Sequence, residues 1–208
     1  AIVDPELIYS MPKGLTAATG MDALTHAIES FITPGAWAMS DMFELKAIEM
    51  IAQNLKAAVD NGKDTAAREA MSQAQYIAGM GFSNVGLGIV HSMAHPLGAF
   101  YDTPHGVANA LLLPYVMEYN AESPAASKYI RIAEAMGVDT EGMTEAEGVK
   151  AAIEAVKALS LSINIPQKLH EINVKEEDIP ALAVAAFNDV CTGGNPRPTS
   201  VEDIEALY

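Results

Sequence analysis

The sequence predicts an all-α domain on three observations: apolar residues recur at i, i+3 and i+4 through most of the chain, strand-type alternation is absent, and helix start and stop signals fall between the periodic runs. The opening VDPELIY reads as extended. LTAATGMDALTHAIESFI reads as the first helix, stopped by Pro34. A second helix covers about Ser40 to Val59, with Met42, Leu45, Ile48, Ile51 and Leu55 at helical spacing, and DNGKD breaks it. A third runs from Thr65 to about Met80. A fourth contains GIVHSMAH and should end or kink immediately after His95, because Pro96 has no backbone N–H to donate. YDTPHG is expected as a loop, and GVANALLLPYVMEYN returns to helix with a kink at Pro114. Three or four helices follow. Thr144 and Glu147 form a capping box for one that runs to about Leu161, and Thr199 and Glu202 form another for the last. With no repeat and no low-complexity tract, residues 1–208 read as one domain.

Composition narrows the function. The chain is 50% apolar and 19% charged, which places it among globular, soluble proteins. A net charge of −15 argues against nucleic acid and anionic membranes as partners, since both demand a basic surface. No apolar run approaches the roughly 20 residues that cross a bilayer. The start, AIVDPELIYS, has neither the basic nor the apolar region of a signal peptide. It also lacks an initiator Met, so a fragment or processed product is expected. The single cysteine, Cys191, excludes an internal disulfide and fits a reducing cytoplasm.

Four of the five histidines sit in two short stretches, TGMDALTHAIES and VHSMAHPLGAFYDTPHG. Asp22 and His26 are four apart on one helix, so they share a face with Cβ atoms roughly 5–6 Å apart. His91 and His95 repeat the spacing, and His105 follows after a loop. One carboxylate with several imidazoles is a borderline N/O donor set suited to Zn²⁺ or Fe²⁺, and poorly matched to Ca²⁺ or Mg²⁺. Spacing alone favours His95 as the fourth ligand, because no loop is needed to deliver it. His170, isolated in PQKLHEINV, reads as an ordinary surface or core histidine.

The glycine-rich AGMGFSNVGLGIVH invites a dinucleotide reading and fails it. Gly79 and Gly81 fit the first half of G-x-G-x-x-G, but Asn84 stands where the third glycine belongs, and the segment follows a helix where a strand is required. Gly79, Gly81, Gly86 and Gly88 better serve close backbone approach beside a buried site, or tight helix packing. Walker A, G-x-S-x-G and H-E-x-x-H motifs are all missing, so the general-base glutamate of a zinc protease is missing too.

ATGMDALTHAIES, GMGFSNVGLGIVHSMAHPLGAFYDTPHGVANALLLPYVMEYN and DVCTGGNPR resemble the iron-containing (group III) alcohol dehydrogenases along the whole chain. Members of that family, and of the wider dehydroquinate synthase-like fold, pair an N-terminal α/β domain that binds NAD(P) with a C-terminal helical domain that carries the metal. The resemblance implies that this chain is the helical domain alone, without the NAD-binding domain. It implies Asp22, His26, His91 and His105 as ligands of Fe²⁺, with Zn²⁺ as the alternative. It implies that His95 lies near the metal without ligating it, where it could pass the alcohol proton toward solvent or orient a ligand. Phe82 and Cys191 resemble substrate-pocket positions.

The implied activity is hydride transfer between NAD(H) and a small aliphatic alcohol, diol or hydroxyaldehyde. The implied partners are that substrate and the chain's own N-terminal cofactor domain, with a homo-oligomer as the expected assembly and the cytoplasm as its location. The rival reading is a non-redox domain that has kept the helical fold for metal binding or oligomer contacts alone.

Overall fold

A computed structural model describes residues 2–208. Among these residues every regular element is helical, and no helix is long and apolar enough to cross a membrane. Nine α-helices follow in order: α1 Lys13–Ile32, α2 Ala38–Asp60, α3 Thr65–Val85, α4 Ile89–Tyr101, α5 His105–Asn120, α6 Tyr129–Ala135, α7 Glu145–Ser162, α8 Ile179–Phe187 and α9 Val201–Leu207.

The architecture is organised around α1, which packs against α2, α3 and α5 at once. Its sequence allows this because Met21, Leu24 and Ile28 bury fully on the α2 and α3 sides. Its hydroxyls turn back onto their own helix, as in Thr25 Oγ1 to the Met21 carbonyl at 2.9 Å, so they can be buried without a distant partner. Ile48, Ile51 and Leu55 of α2 complete the core on one side, and Met93, Leu97 and Leu112 of α4 and α5 on the other. Helix α4 lies between α5 and α8, and α6 packs on α7.

Several sequence expectations are corrected here. VDPELIY is not extended, since Pro5–Ile8 form a 3-10 turn capped by Asp4, whose Oδ1 accepts from the Glu6 amide at 3.1 Å. Helix α3 runs past Met80 to Val85, where Gly86 ends it at φ 88°. Pro96 lies inside α4, which continues to Tyr101. Proline costs one backbone hydrogen bond and about 3 kcal/mol, but the turn beyond it carries the buried Leu97. The helix then closes on Asp102 in the left-handed conformation, with its amide on the Gly98 carbonyl at 3.0 Å. Consequently only Asp102–Pro104 of YDTPHG form a loop, and His105 opens α5. Pro114 lies inside α5, as the sequence placed it. The Thr144–Glu147 capping box forms as expected. The last helix is capped one residue later, by Ser200 and Asp203, because the Thr199 hydroxyl is turned to the Arg197 carbonyl at 3.0 Å.

Two glycines permit the approaches that build the centre. A Cβ on Gly106 would stand 2.3 Å from the Ala18 carbonyl oxygen, so only glycine lets the start of α5 lie on α1. A Cβ on Gly88 would stand 2.9 Å from Glu29 Oε1, so the start of α4 closes directly on that carboxyl group. Gly81 is tight against Glu44 in the same way, whereas Gly79 has open space beside it.

Candidate metal centre

Asp22 and His26 project from α1, His91 and His95 from α4, and His105 from the first residue of α5. The folded chain brings Asp22, His26 and His91 together at one point, with His105 and His95 beside them. Asp22, His26 and His91 each offer a donor atom, and these lie within 4.8 Å of one another. Asp22 Oδ1 is 3.9 Å from His91 Nε2 and 3.5 Å from His105 Nε2. Donors that share one ion at about 2.0–2.2 Å stand roughly 3–4 Å apart, so these spacings suit a shared cation. His105 is half exposed at the rim and falls outside the compact trio, reaching it through Asp22.

The ring nitrogens point the same way. His26 Nδ1 lies 2.8 Å from the Asp22 carbonyl oxygen. A carbonyl only accepts, so Nδ1 carries the proton and Nε2 keeps its lone pair. His91 is buried, and its Nε2 has no hydrogen-bond partner among the described residues. An orphaned buried donor atom facing a carboxylate is costly unless something occupies the space between them. Burial lowers the His26 pKa, helped by His91 and opposed by Asp22. Burial lowers that of His105 too, against the pull of Asp22. Both shifts favour the neutral imidazole, the form able to bind a metal. The residues fit a divalent transition metal.

Asn109, one turn into α5, is a member the sequence reading missed. Its Nδ2 bridges Asp22 Oδ1 at 2.6 Å and His105 Nε2 at 3.0 Å. Glu29 is the other. It sits seven residues after Asp22 and three after His26, hence on the same helix face, and it receives the Val90 amide at 2.7 Å and His91 Nδ1 at 2.5 Å. That i, i+4, i+7 pattern was the signal that could have found it.

His95 stands apart from the trio. Its Nδ1 donates to Asp189 Oδ2 at 2.7 Å, and its ring stacks on His105 with centroids 5.4 Å apart. The His95 side chain is partly exposed, and no hydrogen bond engages its other nitrogen among the described residues. Burial pushes the Asp189 carboxyl up, but the Cys191 amide and His95 outweigh it and hold the pKa below the usual range. Burial and Asp189 push the Cys191 thiol up to about 12. Such a shift favours the protonated thiol over the thiolate.

Phe82 packs its ring on His26 at 4.4 Å between centroids. It lines a cavity of about 440 Å³ that opens from Asp22 and His26 along α1 and α3. Arg68 also lines it, buried with no carboxylate partner among the described residues, and donates to Thr16 Oγ1 at 2.7 Å and to the Met11 carbonyl at 3.0 Å. Cys191 does not line this cavity.

A helical domain that gathers a carboxylate and imidazoles beside a small cavity has the donor groups of a metal-binding domain, and the comparisons supply the family. Residues 16–208 match the model of the Fe-containing alcohol dehydrogenase family, C-terminal. The chain is 59% identical, over its full length and 54% of the relative's, to lactaldehyde reductase of Escherichia coli strain K12. It is 46% identical, again over all of itself and 54% of the relative, to NAD-dependent methanol dehydrogenase of Bacillus methanolicus. A crystal structure of 1,3-propanediol oxidoreductase superposes with a TM-score of 0.96 at 46% identity, covering 98% of this chain and 53% of that one. The chain belongs to the Fe-containing alcohol dehydrogenase family. It spans about half the length of the curated relatives it matches.

Proposed function

We propose that residues 1–208 form the metal- and substrate-binding domain of an NAD-dependent alcohol dehydrogenase that interconverts a small aliphatic alcohol or diol and its aldehyde, with a lactaldehyde/1,2-propanediol-like compound as the substrate. The observation that carries this is the buried, unpartnered Nε2 of His91 facing Asp22 beside His26. Asp22, His26, His91 and His105 would hold the ion, Fe²⁺ by family and Zn²⁺ by donor chemistry. Bound there, it supplies Lewis-acid polarisation of the alcohol or carbonyl oxygen.

The chain's own residues do the rest. Asn109 steadies the Asp22 carboxylate through the 2.6 Å contact. Phe82 walls the cavity beside His26 and keeps water from that side. His95, anchored at Nδ1 by Asp189, presents its second nitrogen to pass a substrate proton between the site and solvent. Cys191 contributes an uncharged wall on the Asp189 side.

On this reading nicotinamide binding belongs to a separate α/β domain, with this chain covering 54% of the length of lactaldehyde reductase. Exposed Leu7, Leu15 and Val190 support such a cover, since the first two flank the cavity residues Ile8 and Thr16 and the third adjoins Cys191. Cytoplasmic location and homo-oligomeric assembly complete the proposal. Metal analysis of anaerobically prepared protein tests it. One ion per chain is expected, and undiminished content after His26→Ala combined with His105→Ala would overturn the ligand set.

A further inference from the structure

Each of the two ring nitrogens of His91 meets a different environment. Nε2 faces the centre, 3.9 Å from Asp22 Oδ1, with no hydrogen-bond partner. Nδ1 lies 2.5 Å from Glu29 Oε2. Glu29 comes from α1, the helix that also carries Asp22 and His26, and both Glu29 and His91 are buried. Its second oxygen, Oε1, accepts the Val90 amide at 2.7 Å, at the first turn of α4. Gly88 leaves room for this carboxyl group, since any Cβ there would crowd Oε1.

We propose that Glu29 is the positioning residue of the metal centre: its carboxylate holds the proton of His91 on Nδ1 and so aims a bare Nε2 lone pair at the ion. This rests on the reading of the centre as a metal site. A neutral imidazole has one N–H, and a carboxylate oxygen can only accept, so the proton sits on Nδ1 and Nε2 is left as the acceptor. By taking the Val90 amide with its other oxygen, Glu29 also locks the first turn of α4 onto α1, which fixes the ring's position as well as its tautomer. A partner of this kind typically changes metal affinity by roughly 10- to 100-fold.

The substitution Glu29→Gln separates positioning from capping. Its carbonyl still accepts from Val90, but its amide then meets Nδ1 with a donor and drives the His91 proton to Nε2, where it blocks the lone pair. The expected result has three parts: ¹⁵N NMR of the metal-free protein shows His91 protonated at Nδ1 in the wild type and at Nε2 in the variant. Chelator competition shows Zn²⁺ affinity reduced roughly 10- to 100-fold. Helix content stays unchanged, and Glu29→Asp, which restores a carboxylate, recovers part of the affinity.

Zn²⁺ affinity at the wild-type level in Glu29→Gln would overturn the proposal, as would a wild-type His91 protonated at Nε2. If the variant does not fold, the wild-type ¹⁵N measurement still decides between the tautomers. A wild-type protein that shows the Nδ1 tautomer yet takes up no Zn²⁺ refutes the metal reading and with it the role assigned to Glu29, whereas Zn²⁺ uptake with the wrong tautomer refutes Glu29 alone.

Discussion

Replacing Glu44 by Gln should change how the protein's stability depends on pH. Glu44 lies on α2, fully buried against Gly81 of α3, and neither carboxyl oxygen has a hydrogen-bond partner among the described residues. Burial pushes its pKa up to about 8, with Asp41 adding to the rise and Ser30 opposing it. An acid whose pKa is raised by folding favours the protonated native state. Its contribution is fully present below about pH 4.5, where both states hold the proton, and is lost as pH rises to about 8. Over that span the unfolded chain ionises while the folded one does not, which costs ~1.4 kcal/mol per pH unit and about 5 kcal/mol in total.

Urea unfolding of wild type and Glu44→Gln, each measured at several values between pH 5 and pH 9, reads the difference. Gln cannot ionise, so its advantage over Glu should grow by about 3 kcal/mol between pH 5 and pH 7 and level off above pH 8. Parallel stability curves for the two proteins across that range would refute the reasoning, because they would mean that Glu44 titrates alike in the folded and unfolded states.

Two other outcomes are expected. If the protein is the metal-dependent dehydrogenase proposed above, His95→Ala in the full-length form should keep its metal while turnover falls, on the order of 10²-fold, as measured by metal analysis beside steady-state kinetics; loss of metal equal to that from His91→Ala would make it a ligand. Gly106→Ala should cost about 1–3 kcal/mol in urea unfolding, because the new methyl meets the rigid Ala18 carbonyl rather than a movable side chain.

What the sequence made legible was local. The i, i+4 pair Asp22 and His26 lies within one helix, and the Thr144–Glu147 cap within one turn, so periodicity and short-range chemistry were enough to place them. Glu29 was passed over because the partner that gives it meaning, His91, is 62 positions away. Whether α4 would end or only kink at Pro96 was left open by the sequence for a related reason. Its backbone cost is local, but the burial of Leu97 that outweighs it comes from packing between elements. Spacing could not give the direction of the His95 ring, since Asp189 of a distant segment holds it. Thr199 and Ser200 both satisfy the capping pattern, and only the contact with Arg197 decides between them.

Asn195 pins the start of α4 from 106 positions away, with Oδ1 at 3.5 Å from the Ile89 amide and a reciprocal pair of amide hydrogen bonds to Asn120. Every proposed ligand has been made once His105 leaves the ribosome, yet this fastening arrives roughly ninety residues later, several seconds at ordinary rates of synthesis. For that interval the nascent chain owns its imidazoles without the framework that spaces them. Loading during translation would meet a loose set of donors that takes whichever cation binds imidazole most strongly, whereas loading afterwards meets a shaped one. The order in which the chain is made thus separates the ability to capture an ion from the ability to choose it.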